Sequence, residues 1–143
     1  PAMIAVRREN RIFEELYDDG LISRTAARIW KCFELFPEWA QTDLKREAGF
    51  GKGENSAFGS ALTELQMKML ICISGQTQRI NRKGEPYGWP QNLFCRIDAR
   101  FPQVEEKELT PEEGLHALLG CIARAGDFPE KAALRLIGAG QPW

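Results

Sequence analysis

Residues 42–90, TDLKREAGFGKGENSAFGSALTELQMKMLICISGQTQRINRKGEPYGWP, read in order as helix, turn, longer helix, strand, basic loop and strand. Thr42 is placed to cap a two-turn helix through Ala48, and the glycines between Gly49 and Gly53 let the chain turn with positive φ. A second helix is expected from a cap at Asn55 or Ser56, with Phe58, Leu62, Leu65 and Met69 on one face. The apolar run at Met69–Ile73 then gives way to alternation, with Ile73, Gly75, Thr77 and Arg79 on one parity and Ser74, Gln76, Gln78 and Ile80 on the other. Arg82, Lys83, Gly84, Glu85 and Pro86 supply turn chemistry, so the segment reads as a hairpin with a basic tip. This is the order of a winged helix-turn-helix, with the helix from residue 55 as recognition helix and the hairpin as wing.

Upstream, Ile12, Phe13 and Leu16 make an apolar stripe on a short helix ending near Gly20. Ser23 is the expected cap of a core helix carrying Ala26, Ile29, Trp30, Phe33 and Phe36 and stopped by Pro37, with Arg24, Arg28 and Lys31 on its solvated side. Downstream, PQNLFCRIDARFP has helical spacing at Leu93, Phe94, Ile97 and Phe101. Thr110, Pro111, Glu112 and Glu113 form a strong helix start, and a last short helix is expected from Asp127 to about Ile137. The expected architecture is mainly α with a small antiparallel β-hairpin: a winged-helix domain over residues 1–102 and a C-terminal helical extension over 103–143.

Composition sets the broad class. A chain of 143 residues, 43% hydrophobic and 27% charged, can bury one ordinary globular core. It holds no apolar run of membrane-spanning length and no signal-like opening, which points to a cytoplasmic protein with no membrane partner. Cys32, Cys72, Cys95 and Cys121 lie far apart among apolar residues, without a CxxC pair and with His116 as the one histidine, so buried free thiols are expected rather than a metal site. No cofactor is implied. The net charge of −1 hides an asymmetry: the segment from Leu21 to Lys83 is rich in Lys and Arg, whereas VEEKELTPEEG is acidic.

Those cations suggest DNA as partner. Arg79, Arg82 and Lys83 at or beside the hairpin tip can reach phosphates or a minor groove, and Lys52, Asn55, Ser56 and Ser60 can be presented by the recognition helix. Tyr87 and Trp89 are expected to close the core beneath the sheet, stacking on a base being the alternative. His116, among leucines on a helix, reads as structural or partly exposed.

The set VRRENRIFEELYDDGLIS, TDLKREAGFGKGENSAFGSALTELQ and GQTQRINRKGEPYGWP, over roughly residues 5–101, resembles the winged-helix proteins related to the bacterial DNA glycosylases AlkZ and YcaQ. That resemblance implies tandem winged-helix units around a basic cleft, excision of alkylated or crosslinked purines, and a Gln-x-Gln motif that positions a hydrolytic water. Gln76-Thr77-Gln78 matches the motif and marks Gln76 and Gln78 as the catalytic candidates. In the family the motif lies in an N-terminal unit with further winged helices around it, whereas here it falls on the wing strand of a short chain. The expectation is therefore a DNA-binding protein without complete catalytic machinery. An active monofunctional glycosylase is the alternative, and an interaction or dimerisation module, as a homo-oligomer or with a partner domain, is the second.

Overall fold

The computed structural model describes residues 1–102, 109–126 and 129–137. Its elements are α1 (Ala2–Arg8), α2 (Phe13–Asp18), α3 (Arg24–Cys32), β1 (Glu38–Ala40), α4 (Gln41–Glu47), α5 (Asn55–Met67), β2 (Ile71–Ile80), β3 (Pro86–Arg96), α6 (Ile97–Arg100), α7 (Pro111–Ala125) and α8 (Glu130–Ile137). The strands form one antiparallel sheet in the order β1-β3-β2, giving a mixed α/β fold.

The core follows from the apolar stripes of α2–α5 laid against the root of the sheet. Leu16, Ile29, Leu44, Leu65, Leu70 and Ile71 are almost completely buried, and burying each such side chain contributes about 1.5–3 kcal/mol. Phe13 stacks on Trp30 at 4.7 Å between ring centroids. Ser23 caps α3 as expected, its Oγ accepting from the Ala26 N–H at 3.1 Å.

Helix α3 ends at Cys32, a turn before Pro37, because the residue preceding a proline is steered out of the helical region. Leu35 and Phe36 are consequently exposed, correcting the placement of Phe36 on the buried face. The chain instead forms β1, whose Trp39 packs on the core and donates Nε1–H to the Cys32 carbonyl at 2.9 Å. That carbonyl also accepts from the Leu35 N–H at 3.1 Å, so Trp39 fills its second acceptor position at the end of α3.

Thr42 does not cap α4. Ala40 holds the cap position, and the Thr42 N–H and Oγ1–H both donate to Gln91 Oε1, at 3.0 and 2.5 Å. A side chain of β3 thus satisfies an open donor of the first turn. Helix α4 closes at Gly49, φ 73°, where Arg28 donates to the Ala48 carbonyl at 2.8 Å and to the Gly49 carbonyl at 2.7 Å. The same guanidinium lies over Phe50, so Arg28, exposed on α3 as expected, also ties that helix to the end of α4.

Neither Asn55 nor Ser56 caps α5. Glu54 precedes it, and the Asn55 Oδ1 accepts from Lys45 Nζ at 2.7 Å. Phe58, Ala61, Leu62 and Leu65 face the core; the chain then leaves the helix at Met69, φ 55°, and Leu70 takes the buried place.

Residues 91–96, read above as helical, belong to β3. Phe94 pairs with both Trp39 and Ile73, and β3 is the central strand, so neighbours on both sides claim its backbone groups; only Ile97–Arg100 turns helically. The β2–β3 hairpin carries two irregularities, one at Ser74 and a larger one at Gly88, Trp89 and Pro90, opposite Gln78. Gly88 has φ 73°, a conformation that suits glycine. Pro90 is tolerated at such an irregularity, where ladder bonding is already interrupted.

Helix α7 opens at the expected cap, Thr110, and Glu113 completes a capping box: Thr110 Oγ1 accepts from the Glu113 N–H at 3.2 Å and Glu113 Oε2 from the Thr110 N–H at 2.8 Å. It packs on α1 and, more lightly, on α8. Gly114 makes the α1 crossing close: a Cβ there would stand 2.8 Å from the Ala2 carbonyl oxygen and 3.1 Å from the Ala5 Cβ. Asp127, the expected start of the last helix, lies outside the described residues; the described helix begins at Glu130. Among the described residues no helix is long and apolar enough to cross a membrane.

Candidate nucleic-acid interface

The hairpin outruns the core. Burial ends near Ile71 and Phe94, while Ile80, Tyr87 and Trp89 project into solvent, Trp89 at 91% exposure. Tyr87 and Trp89 therefore do not close the core, contrary to expectation, because they lie at and beside the irregularity, where the hairpin extends past the buried cluster.

The tip is built by Asn81. Its Oδ1 accepts from the Lys83 and Glu85 N–H groups at 2.8 and 3.0 Å, and its Nδ2–H donates to Glu85 Oε2 at 3.1 Å. Gly84, at φ 82°, completes the turn. Arg82 and Lys83 are exposed here, and among the described residues neither side chain has a protein partner. Arg79 is different: its Nη2–H donates to Thr42 Oγ1 at 2.7 Å, tying the hairpin to α4.

Between hairpin and α4 lies a polar cavity of about 570 Å³, lined by Ala40, Thr42, Asp43 and Arg46 on one side and by Thr77, Gln78, Arg79, Ile80, Tyr87, Gln91 and Leu93 on the other. Two guanidinium groups flank it. Arg46 is paired with Asp43 at 2.7 Å, but its side chain is 77% exposed, and an ion pair so open to solvent is weak enough to yield to another anion.

The two glutamines part company. Gln78 lines the cavity and donates Nε2–H to the Gly88 carbonyl at 2.8 Å. Gln76 does not line it; its Nε2 lies 3.5 Å from Asn92 Oδ1 across the sheet. The break in register between Thr77 and Arg79 interrupts the strand's alternation at Gln78, a detail that counting residues along a strand does not anticipate.

Lys52, Asn55 and Ser56 are exposed at the start of α5, with Asn55 engaged by Lys45. Ser60, one turn on, lines a separate and more apolar groove with Leu21, Thr63 and Met67. The residues missed from the sequence are Arg46, Thr42 and Gln91. Their grouping depends on α4 docking against β3, which no local pattern encodes. His116 is exposed on α7, and among the described residues no group of three or more His, Cys, Asp or Glu side chains is gathered as metal ligands would be.

The chain matches a protein family described as AlkZ related, over residues 1–137. No curated protein and no solved structure matches it.

Proposed function

Because the chain belongs to the AlkZ-related family, and is thereby related to DNA glycosylases, we propose that it is a DNA-binding winged helix-turn-helix protein that lacks complete catalytic machinery. The order α3, β1, α4, α5, β2, β3, with β1 on β3, supports the winged-helix reading. In it α5 is the recognition helix and the β2–β3 hairpin is the wing.

The observation that carries the binding role is the pair of unpartnered cations on a well-formed turn, Arg82 and Lys83, next to a polar cavity flanked by Arg46 and Arg79. Long cations at such a tip anchor phosphates without reading sequence, while Lys52, Asn55 and Ser56 at the start of α5 offer groove contacts. Tyr87, opposite Arg79 in the register, and Trp89 are free of the core, an arrangement suited to stacking on an exposed base.

A second reading, an active glycosylase, is favoured by one detail: Gln78 lines the cavity. Glutamine orients water but does not take its proton, and Gln76 stands elsewhere, so the motif's two side chains do not converge on one site.

Duplex binding measured over a salt series separates these readings. Replacing Arg79, Arg82 and Lys83 together by Ala should weaken binding and reduce the slope of log K against log salt by about one for each phosphate no longer neutralised. Unchanged affinity and slope would remove the wing from the interface. The same protein incubated with alkylated duplex should release no base; release that is abolished in Gln78→Ala but kept in Gln76→Ala would establish the glycosylase instead.

A further inference from the structure

Two of the four cysteines meet at the root of the hairpin. Cys72 of β2 and Cys95 of β3 are direct partners in the strand register, and their sulfurs are 3.7 Å apart. Directly opposed residues of an antiparallel pair have Cα atoms about 4.5–5.5 Å apart, within the separation of about 4.4–6.8 Å that a disulfide spans. Closing the bond from van der Waals contact therefore calls for side-chain rotation and little backbone movement. Cys95 is buried, whereas Cys72 is half-buried and reachable by a small oxidant. Cys32 is buried and its thiol donates to the Arg28 carbonyl, while Cys121 is exposed on a different element, α7.

We propose that Cys72 and Cys95 form a reversible cross-strand disulfide, a peroxide-modified site that staples the base of the β2–β3 hairpin. Hydrogen peroxide oxidises the Cys72 sulfur to a sulfenic acid, its O–O bond breaking and one water leaving. The Cys95 sulfur then attacks the sulfenic sulfur, the S–O bond breaks, and the hydroxyl leaves with the Cys95 proton as a second water. Overall two thiols lose two electrons and two protons, and one peroxide becomes two waters. A dithiol reductant reverses the change. The inference rests on the geometry of the sheet and is independent of the DNA-binding reading.

The reaction is slow at neutral pH and quickens in base. Burial, reinforced by the hydrogen bond with Cys95, pushes the Cys72 thiol up to about 11. The charged neighbours are Arg100 of α6, which favours the thiolate, and Glu38 of β1, which pairs with Cys95 in the register. Since the thiolate is the reactive form, the rate should rise with pH above neutrality.

The test uses the full chain carrying Cys121→Ser, which removes the exposed thiol that would otherwise crosslink molecules. After peroxide treatment the intact mass should fall by about 2 Da, thiols titrated under denaturant should fall from three to one, and peptide mapping should join Cys72 to Cys95. Dithiothreitol should restore all three. The oxidised protein should melt about 5 °C higher, since the bond closes a loop of the unfolded chain. A gain of oxygen atoms without the 2 Da loss, a bond mapped to Cys32, or three thiols persisting after prolonged exposure at pH 9 would overturn the proposal. Adding Cys95→Ser should abolish the 2 Da loss, and the Cys121→Ser result stands by itself if that second variant does not fold.

Discussion

The body formed by α2–α5 and the sheet, and the pair formed by α1 and α7, are held together by different physics. The body buries large branched and aromatic side chains, among them Ile29, Leu44 and Leu65 at 0% exposure. The α1–α7 crossing buries Ile4, Ala5 and Gly114, and its tightness comes from two backbones approaching where a side chain is missing. Stability from area is spread over many contacts; stability from a close crossing hangs on one residue. Damage to the first should therefore lower global stability, and damage to the second should act locally.

Leu65→Ala tests the body and should have the largest effect. Leu65 is fully enclosed in the cluster that joins α3, α4, α5 and the sheet root, so its truncation should cost about 2–5 kcal/mol of unfolding free energy in urea. The transition should remain cooperative for Trp30, which lies in the same cluster. A loss under about 1 kcal/mol would mean that the site collapses around the deletion, and the contrast with the crossing would weaken.

Gly114→Ala is sharper because two effects oppose each other. Alanine in a helix interior is favoured over glycine by about 1 kcal/mol. Here its Cβ would meet a backbone oxygen at 2.8 Å, a neighbour that cannot rotate aside, and relieving such overpacking costs about 1–3 kcal/mol. The close approach should win, giving a small net destabilisation with faster amide exchange in α1 and α7 and unchanged protection in α5. A stabilised variant would show that the helices part readily and that the crossing is loose.

The same contrast explains what could be read from the sequence. Helices were legible where local chemistry is complete: in the body, Ser23 before Ala26 and Phe58 and Leu62 at helical spacing, and outside it the Thr110 start of α7. The hairpin was legible from its alternation and the turn residues Arg82 to Pro86, though not the part Asn81 plays in building the tip. Elements that depend on distant partners were not. The strand at 91–96 imitates a helix because Leu93, Phe94, Ile97 and Phe101 happen to fall at helical intervals; pairing with β1 and β2 overrides that pattern. Thr42 looked like a cap until Gln91, 49 residues away, took over the first turn of α4. At the candidate interface the tip cations Arg82 and Lys83 could be named from turn chemistry alone. The cavity that joins Arg46, Gln78 and Gln91 could not, because it exists only once α4 is docked and the strand register has slipped at Gln78. The α1–α7 pairing left no signal beyond a glycine inside a helical pattern.

Asp98 offers the smallest effect and probes where the two regions meet. Burial alone would raise its carboxyl, but hydrogen bonds from Arg96, one of them Nε–H to Oδ1 at 2.9 Å, the Ala99 N–H, and the charges of Arg96 and of Arg8 on α1 together hold it below the usual carboxylate range. Arg96 in turn lies over Trp30 of the body, 4.7 Å from the ring centroid. A carboxyl depressed on folding contributes stability that is fully present above its unfolded value of about 3.9 and is lost as pH falls through the lower folded value. With side chains 36% and 28% exposed, the Arg96–Asp98 pair is partly screened, so its contribution at pH 7 should be no more than about 1 kcal/mol. Asp98→Asn should remove that amount at pH 7 and progressively less as pH falls through the lowered folded value, so the stability difference between pH 7 and acid, measured in urea, should shrink. If the variant keeps the full acid sensitivity of the parent, the carboxylate is not what joins the first helix's charge to the body, and the two regions meet through packing alone.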